Sequence, residues 1–206
     1  QAEVLREALD ERVALVSIMV GNNEIGTIQN IASLAKEAHS VGALLHTDAT
    51  QAAGRIPIDI LEFDCDMLSF SAHKIGGPIG IGALFVRDGI QLLPLIKGGS
   101  QQEFLSGTQS PELTIGFGKA CDLAGKRLEN GRSQEEQILI EYFEDGLRDS
   151  GYSIKRVGPS ENEFRLPGTI SLKFANIEMR KLQTWIAPFV SFSTRSACST
   201  TKIEVS

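Results

Sequence analysis

The sequence predicts an α/β fold, with a largely parallel sheet in a first unit followed by part of a smaller α+β unit. Three observations carry this. Residues 13–20, VALVSIMV, are apolar except for Ser17, as expected of a strand covered on both faces. Apolar segments then alternate with connections of helix length up to about residue 86. From Leu113 the texture changes to two amphipathic helical patterns followed by short strand candidates.

Each element has its own signal. After the 13–20 strand, Ile31, Leu34, Ala35 and Ala38 recur at helical spacing, and Gly42 supplies the stop. Residues 43–48, 66–71 and 82–86 read as the second, third and fourth strands. Ile115, Ala120, Leu123, Ala124 and Leu128 mark one long helix. Ile138, Leu139, Tyr142, Phe143 and Leu147 mark another, with Asn130-Gly131 between them. Residues 152–157 and 168–174 are short strand candidates. A connecting helix leading into a smaller unit places the division near residue 125, giving 1–125 and 126–206.

Composition narrows the function classes. The chain has 206 residues, 42% of them hydrophobic and 22% charged, which suits a packed domain rather than a disordered or fibrous chain. A net charge of −6 argues against nucleic acid as a direct partner. No apolar run approaches about 18 residues, and no basic-then-apolar leader is visible, so neither a membrane span nor a signal peptide is expected. Three cysteines without a CxxC pair and three histidines leave few ligands for zinc, so no metal site is expected. Reduced cysteines in the cytoplasm are the plain reading. The sequence opens on Gln1 and stops at Glu204-Val205-Ser206, and it reads as a piece of a longer protein.

Five clusters could carry chemistry. In Ser69-Phe70-Ser71-Ala72-His73-Lys74, a lysine follows an apolar strand and precedes four glycines within residues 76–82. A desolvated lysine has a lowered pKa and can attack a carbonyl, while Ser71 and His73 offer donors to a phosphate. The same segment also reads as a surface lysine opening a Gly-rich turn. Asp48, in His46-Thr47-Asp48-Ala49-Thr50-Gln51, stands at a strand's carboxyl end, where open α/β sheets bind ligands. It could pair with a protonated pyridine nitrogen, or cap a helix starting near Thr50. Asn22-Asn23-Glu24-Ile25-Gly26 could donate to a phenolate-like oxygen or be a plain turn. Ser106-Gly107-Thr108 is a phosphate-binding hydroxyl loop or another turn. Cys198, among Ser196, Ala197, Ser199 and Thr200, suits an exposed, reactive thiolate, whereas Cys65, near Phe63 and Met67, suits the core.

Taken together and in order, these pieces resemble the IscS/NifS-type cysteine desulfurases of the class V aminotransferase group, which have the type I pyridoxal-phosphate fold. The matching pieces include Asp48-Ala49-Thr50-Gln51, Gly80-Ile81-Gly82, Arg165-Leu166-Pro167 and Ser196-Ala197-Cys198-Ser199. The pairing of Ser-x-His-Lys with the downstream Ser-Ala-Cys is the most specific part. The resemblance implies that 1–125 is part of the large cofactor-binding domain, and that 126–206 holds the connecting helix and part of the small domain.

The resemblance also implies roles. Lys74 would hold pyridoxal 5'-phosphate as an internal aldimine and later move the substrate's α-proton. Asp48 would pair with the pyridine nitrogen, with Gln51 and Asn23 at the ring and its oxygen. Ser71 and His73 would bind the phosphate, and Thr108 would do so across a homodimer interface. Cys198 would take sulfur from L-cysteine, leaving alanine and a persulfide for an iron–sulfur scaffold, a tRNA-thiolation protein or another acceptor. Three departures stand out. Two are the family's ring-stacking histidine and carboxylate-binding arginine, which belong to segments outside this sequence. The third is the loop GGSQQEFLSGT, one residue short, with Leu105 where the family typically has Arg. A selenocysteine lyase, a desulfurase dedicated to DNA sulfur modification and a non-catalytic fragment are the alternative readings.

Overall fold

The computed structural model describes residues 2–99, 105–175 and 177–193. The chain starts with α1 (Ala2–Ala8), β1 (Leu15–Met19), α2 (Ile31–Ser40), β2 (Leu44–Asp48), α3 (Ile60–Phe63), β3 (Met67–Ser71) and β4 (Gly82–Val86). The four strands lie in the order β1-β2-β3-β4. The first three are parallel, and β4 returns antiparallel along β3, so the predicted sheet is largely parallel with one reversed edge.

Local chemistry accounts for the boundaries. Asn30 caps α2 by accepting from the Ser33 amide at 3.0 Å. Ile31, Leu34, Ala35 and Ala38 are buried, as their spacing predicts. Past the helix end the chain turns at Gly42, whose φ of +80° favours a residue without a Cβ. Arg6 of α1 forks onto the buried Glu37 of α2 at 2.7 and 2.6 Å.

The core joins α2 to one face of the sheet, through Val16, Leu45 and Leu68. On the other face Met67 is buried, but β1 is open among the described residues. Leu15 is 50% exposed and Met19 38%, so β1 is covered on one side only, contrary to the two-sided burial that its apolar run suggested. The reason is in the packing, since α1, α2 and α3 contribute to the cluster on the Val16 face.

The second half contains α4 (Pro111–Glu129), α5 (Arg132–Asp149), β5 (Ile154–Arg156), β6 (Leu172–Phe174) and α6 (Met179–Ile186). Ser110 caps α4 with Pro111 in its first turn, and Gly131 at φ +79° separates α4 from α5. β5 and β6 pair antiparallel. The pattern of two helices and then short strands is therefore observed. Glu144 of α5 is buried and receives Arg156 at 2.7 Å and Arg148 at 2.9 Å. Burial alone would raise its carboxyl, but these two arginines outweigh that and hold it below the ordinary glutamate value. Among the described residues no helix is long and apolar enough to cross a membrane.

Candidate active site

The carboxyl ends of three consecutive parallel strands gather most of the predicted site. Met19 pairs with Asp48, and Asp48 with Ser69, so β1 and β2 end level along one edge and β3 runs two residues further, to Ser71. Three segments leave that edge: the 20–28 loop with Asn23, the 49–55 turn with Gln51, and the short helical turn Ala72–Ile75 with His73 and Lys74. An open parallel sheet places its ligand crevice at such an edge.

The lysine turn is held from beneath. Ala72 and Ile75 are buried against Phe117, Ala120 and Ala124 of α4, while Phe70 meets Phe117 edge-on with ring centroids 5.2 Å apart. Because the two anchors flank them, His73 and Lys74 face outward and are exposed. The turn closes at Gly76, φ +85°, and the Gly77 amide donates to Ala72 O at 2.9 Å. At Gly77 an added Cβ would lie 3.0 Å from the Ala72 and Ala120 methyls, so a larger residue would press the turn against α4. Lys74 is exposed among the described residues.

Asp48 uses one of its two carboxylate oxygens locally. Its Oδ1 accepts from the Thr50 amide at 2.8 Å, which is the local bond of a cap, yet residues 50–55 form turns rather than a helix. Oδ2 accepts no hydrogen bond among the described residues. The side chains of Asn23, Gln51, Ser71, His73 and Lys74 likewise form no hydrogen bond or ion pair among them. A surface hollow of about 440 Å³ lies elsewhere, against Tyr142, Phe143 and Leu147 of α5.

Two features escaped the sequence reading. His46 bridges the strands below Asp48, with Ser17 Oγ 2.8 Å from Nδ1 and Ser69 Oγ 3.0 Å from Nε2. The signal was present, since Ser17, His46 and Ser69 are polar residues that interrupt apolar strands. The other is Arg165, which is almost wholly buried at 3% exposure.

The remaining predicted residues are dispersed. Thr108 is exposed just ahead of α4, and Ser106, two residues before it, donates from Oγ to Gly99 O at 2.7 Å. Cys198 lies outside the described residues. Cys65 is buried, as expected, and burial pushes its thiol up. Cys121 is exposed on α4. Partial burial still raises its thiol.

The model of the aminotransferase class-V family matches residues 1–189. The chain belongs to the class V aminotransferase family. It is 39% identical over 206 residues to a cysteine desulfurase of Gluconacetobacter diazotrophicus, a match that covers 99% of this chain and 51% of that protein. The structure of a NifS-like protein superposes with a TM-score of 0.83 at 34% identity, covering 92% of this chain and 51% of the other. SspA in complex with cysteine gives a TM-score of 0.69 at 31% identity, covering 91% and 51%. The chain thus spans about half the length of the family members it matches, and its fold is that of NifS-like enzymes.

Proposed function

We propose that this chain is part of a pyridoxal-phosphate-dependent cysteine desulfurase, acting on L-cysteine to give L-alanine and a protein-bound persulfide. The observation that carries the reading is the set of uncommitted polar side chains at three adjacent strand ends: Asn23, Asp48 with its free Oδ2, Gln51, Ser71, His73 and Lys74. That donor set fits the cofactor. It offers one amine for a carbonyl carbon, one carboxylate for a ring nitrogen, amides for the ring oxygen, and a hydroxyl and an imidazole for phosphate. The likeness to a cysteine desulfurase and to a protein that binds cysteine supports the substrate class.

In this reading Lys74 Nζ holds the cofactor's carbonyl carbon, Asp48 keeps the ring nitrogen protonated, and Asn23 and Gln51 orient the ring. Ser71 and His73 bind the phosphate, joined by Thr108 from the second copy of a homodimer. When bound, pyridoxal phosphate supplies an electron sink for charge that develops on the substrate. Lys74 moves the substrate's α-proton. Cys198 Sγ, as a thiolate, attacks the substrate sulfur; a sulfur–sulfur bond forms while the carbon–sulfur bond breaks, and its electron pair leaves with carbon, which a proton then caps to give alanine. The persulfide on Cys198 passes to an iron–sulfur scaffold or another acceptor in the cytoplasm. Residues 1–125 belong to the cofactor-binding domain in this proposal, and 126–206 to the connecting helix and small domain.

The test uses the full-length protein that contains this segment, with added pyridoxal phosphate and L-cysteine. Stoichiometric alanine and sulfide in the presence of a reductant, with persulfide on the protein in its absence, is the expected result. Cofactor binding without alanine release from cysteine would overturn the substrate assignment, and release from selenocysteine alone would replace it with a lyase.

A further inference from the structure

The loop carrying Asn23 is held from outside the sheet. Asn22 Oδ1 accepts the Glu24 and Ile25 amides at 2.9 Å each, and Asn22 N donates to Thr27 O at 2.8 Å, so residues 22–27 form a tight turn with Asn23 exposed on it. A segment of the second half then closes over this turn. Ile28 N donates to Phe164 O at 2.8 Å, Leu166 N donates to Gly26 O at 2.7 Å, and Thr27 bridges antiparallel to Arg165. Leu166 is buried against Gly21, where an added Cβ would lie 2.5 Å from Leu166 Cδ1.

Arg165 completes this contact in an unusual way. Its guanidinium is buried and has no carboxylate partner among the described residues. Nη1 donates to Ile25 O at 2.9 Å, and Nη2 donates to Val157 O at 2.8 Å and to Pro159 O, whereas Nε has no partner. A buried cation without a counter-ion is costly, so its position depends on those carbonyls being where they are. The fork spans two separate segments, 157–159 and the Asn23 loop, which a lysine's point charge does not reproduce. Gly158 lies at the same junction, at φ +86°, and an added Cβ would stand 2.7 Å from Ile25 O.

We infer that Arg165 is a positioning residue, a clasp through which the second half of the chain sets the Asn23 loop at the cofactor edge. The consequence for the cofactor rests on the function proposed above; the clasp itself does not. The first readout therefore uses the cofactor-free full-length protein. In Arg165→Lys, amide hydrogen exchange at Gly26 and Ile28 should quicken by about tenfold or more, the scale of losing a charge-assisted hydrogen bond. Arg156→Lys is the control, because Arg156 binds Glu144 and Asn162 but not the loop. It should leave those two amides at the wild-type rate.

With cofactor added, Arg165→Lys should bind pyridoxal phosphate about tenfold more weakly and shift the pH midpoint of its visible band, because the Asn23 donor is displaced. Arg156→Lys should shift neither. If Arg165→Lys does not fold, Gly158→Ala pushes on the same Ile25 carbonyl and should loosen the same amides. Wild-type exchange in both the Arg165 and Gly158 variants, or equal loosening in Arg156→Lys, would overturn the clasp. Loosened amides with unchanged cofactor affinity and midpoint would overturn the link to the site. A wild-type protein that binds no pyridoxal phosphate would instead refute the proposed function, leaving the exchange result to stand alone.

Discussion

Asp48 is where a structural and a functional role can be separated by a single atom. Its Oδ1 accepts the Thr50 amide at 2.8 Å, and its Oδ2 is uncommitted. Asp48→Asn keeps an oxygen for Thr50 but removes the charge, whereas Asp48→Ala removes both. If the residue serves only the turn, Asp48→Asn should be nearly silent, and Asp48→Ala should cost about 0.5–2 kcal/mol, the usual range for a lost cap. If its carboxylate holds a protonated ring nitrogen, both variants should lose turnover, because a neutral amide cannot balance that positive charge. Loss of one preorganised electrostatic partner costs about 10²–10³ in kcat. The expected pattern is therefore a urea midpoint for Asp48→Asn close to wild type, a lower one for Asp48→Ala, and alanine release reduced about 100-fold or more in both. Near-normal turnover in Asp48→Asn would refute the pairing and leave Asp48 as a turn residue.

Borohydride reduction of the cofactor-loaded full-length protein, followed by peptide mapping, should leave a pyridoxyl group on Lys74; a label on Lys97 or Lys119 instead would move the site. Cys198→Ala should keep cofactor binding but abolish persulfide, as read by mass spectrometry of the intact protein. Cys65→Ala and Cys121→Ala should still form persulfide, because burial raises both thiols and so disfavours their thiolates. Glu144 predicts a pH effect on stability. Its folded-state carboxyl lies below the ordinary 4.5, so its contribution is present above that value and is lost as pH falls through the lower folded one. Thermal unfolding should weaken more steeply below about pH 4.5 in the wild type than in Glu144→Gln, and parallel curves would refute the assignment.

Much of the fold was legible because it rests on local signals. Period and punctuation place α2 through Ile31, Leu34, Ala35, Ala38 and Gly42, and the glycine at 131 separates α4 from α5. What stayed hidden depends on long-range partners. The run 13–20 reads as a strand buried on both faces, yet whether its second face is covered is decided by what packs there, and Leu15 and Met19 are open among the described residues. Lys74 follows an apolar strand, but its exposure is set by Ala72 and Ile75 turning inward onto α4, a contact some 45 residues away in sequence. Arg165 is still harder to read, because an arginine in a loop is usually solvated. Only the folded chain shows it against carbonyls as distant as Ile25, 140 residues earlier.

These distant contacts bear on how the candidate site is assembled. The strand ends supply its direction, since a parallel sheet points Asn23, Asp48 and the Lys74 turn to one edge. Strand pairing stops at Met19 and Asp48, however, and the segments beyond them need other support. The 72–75 turn takes it from α4 and the Asn23 loop from residues 157–166, while the 49–55 turn is held by Arg55 Nη1 donating to Thr169 Oγ1 at 2.9 Å and Ser133 Oγ donating to Arg55 O at 2.7 Å. All three supports come from residues after 110. The chain's second half is therefore not an appendage to the sheet, and a change there at a residue such as Arg165 or Thr169 should be felt at the edge before it is felt in the core.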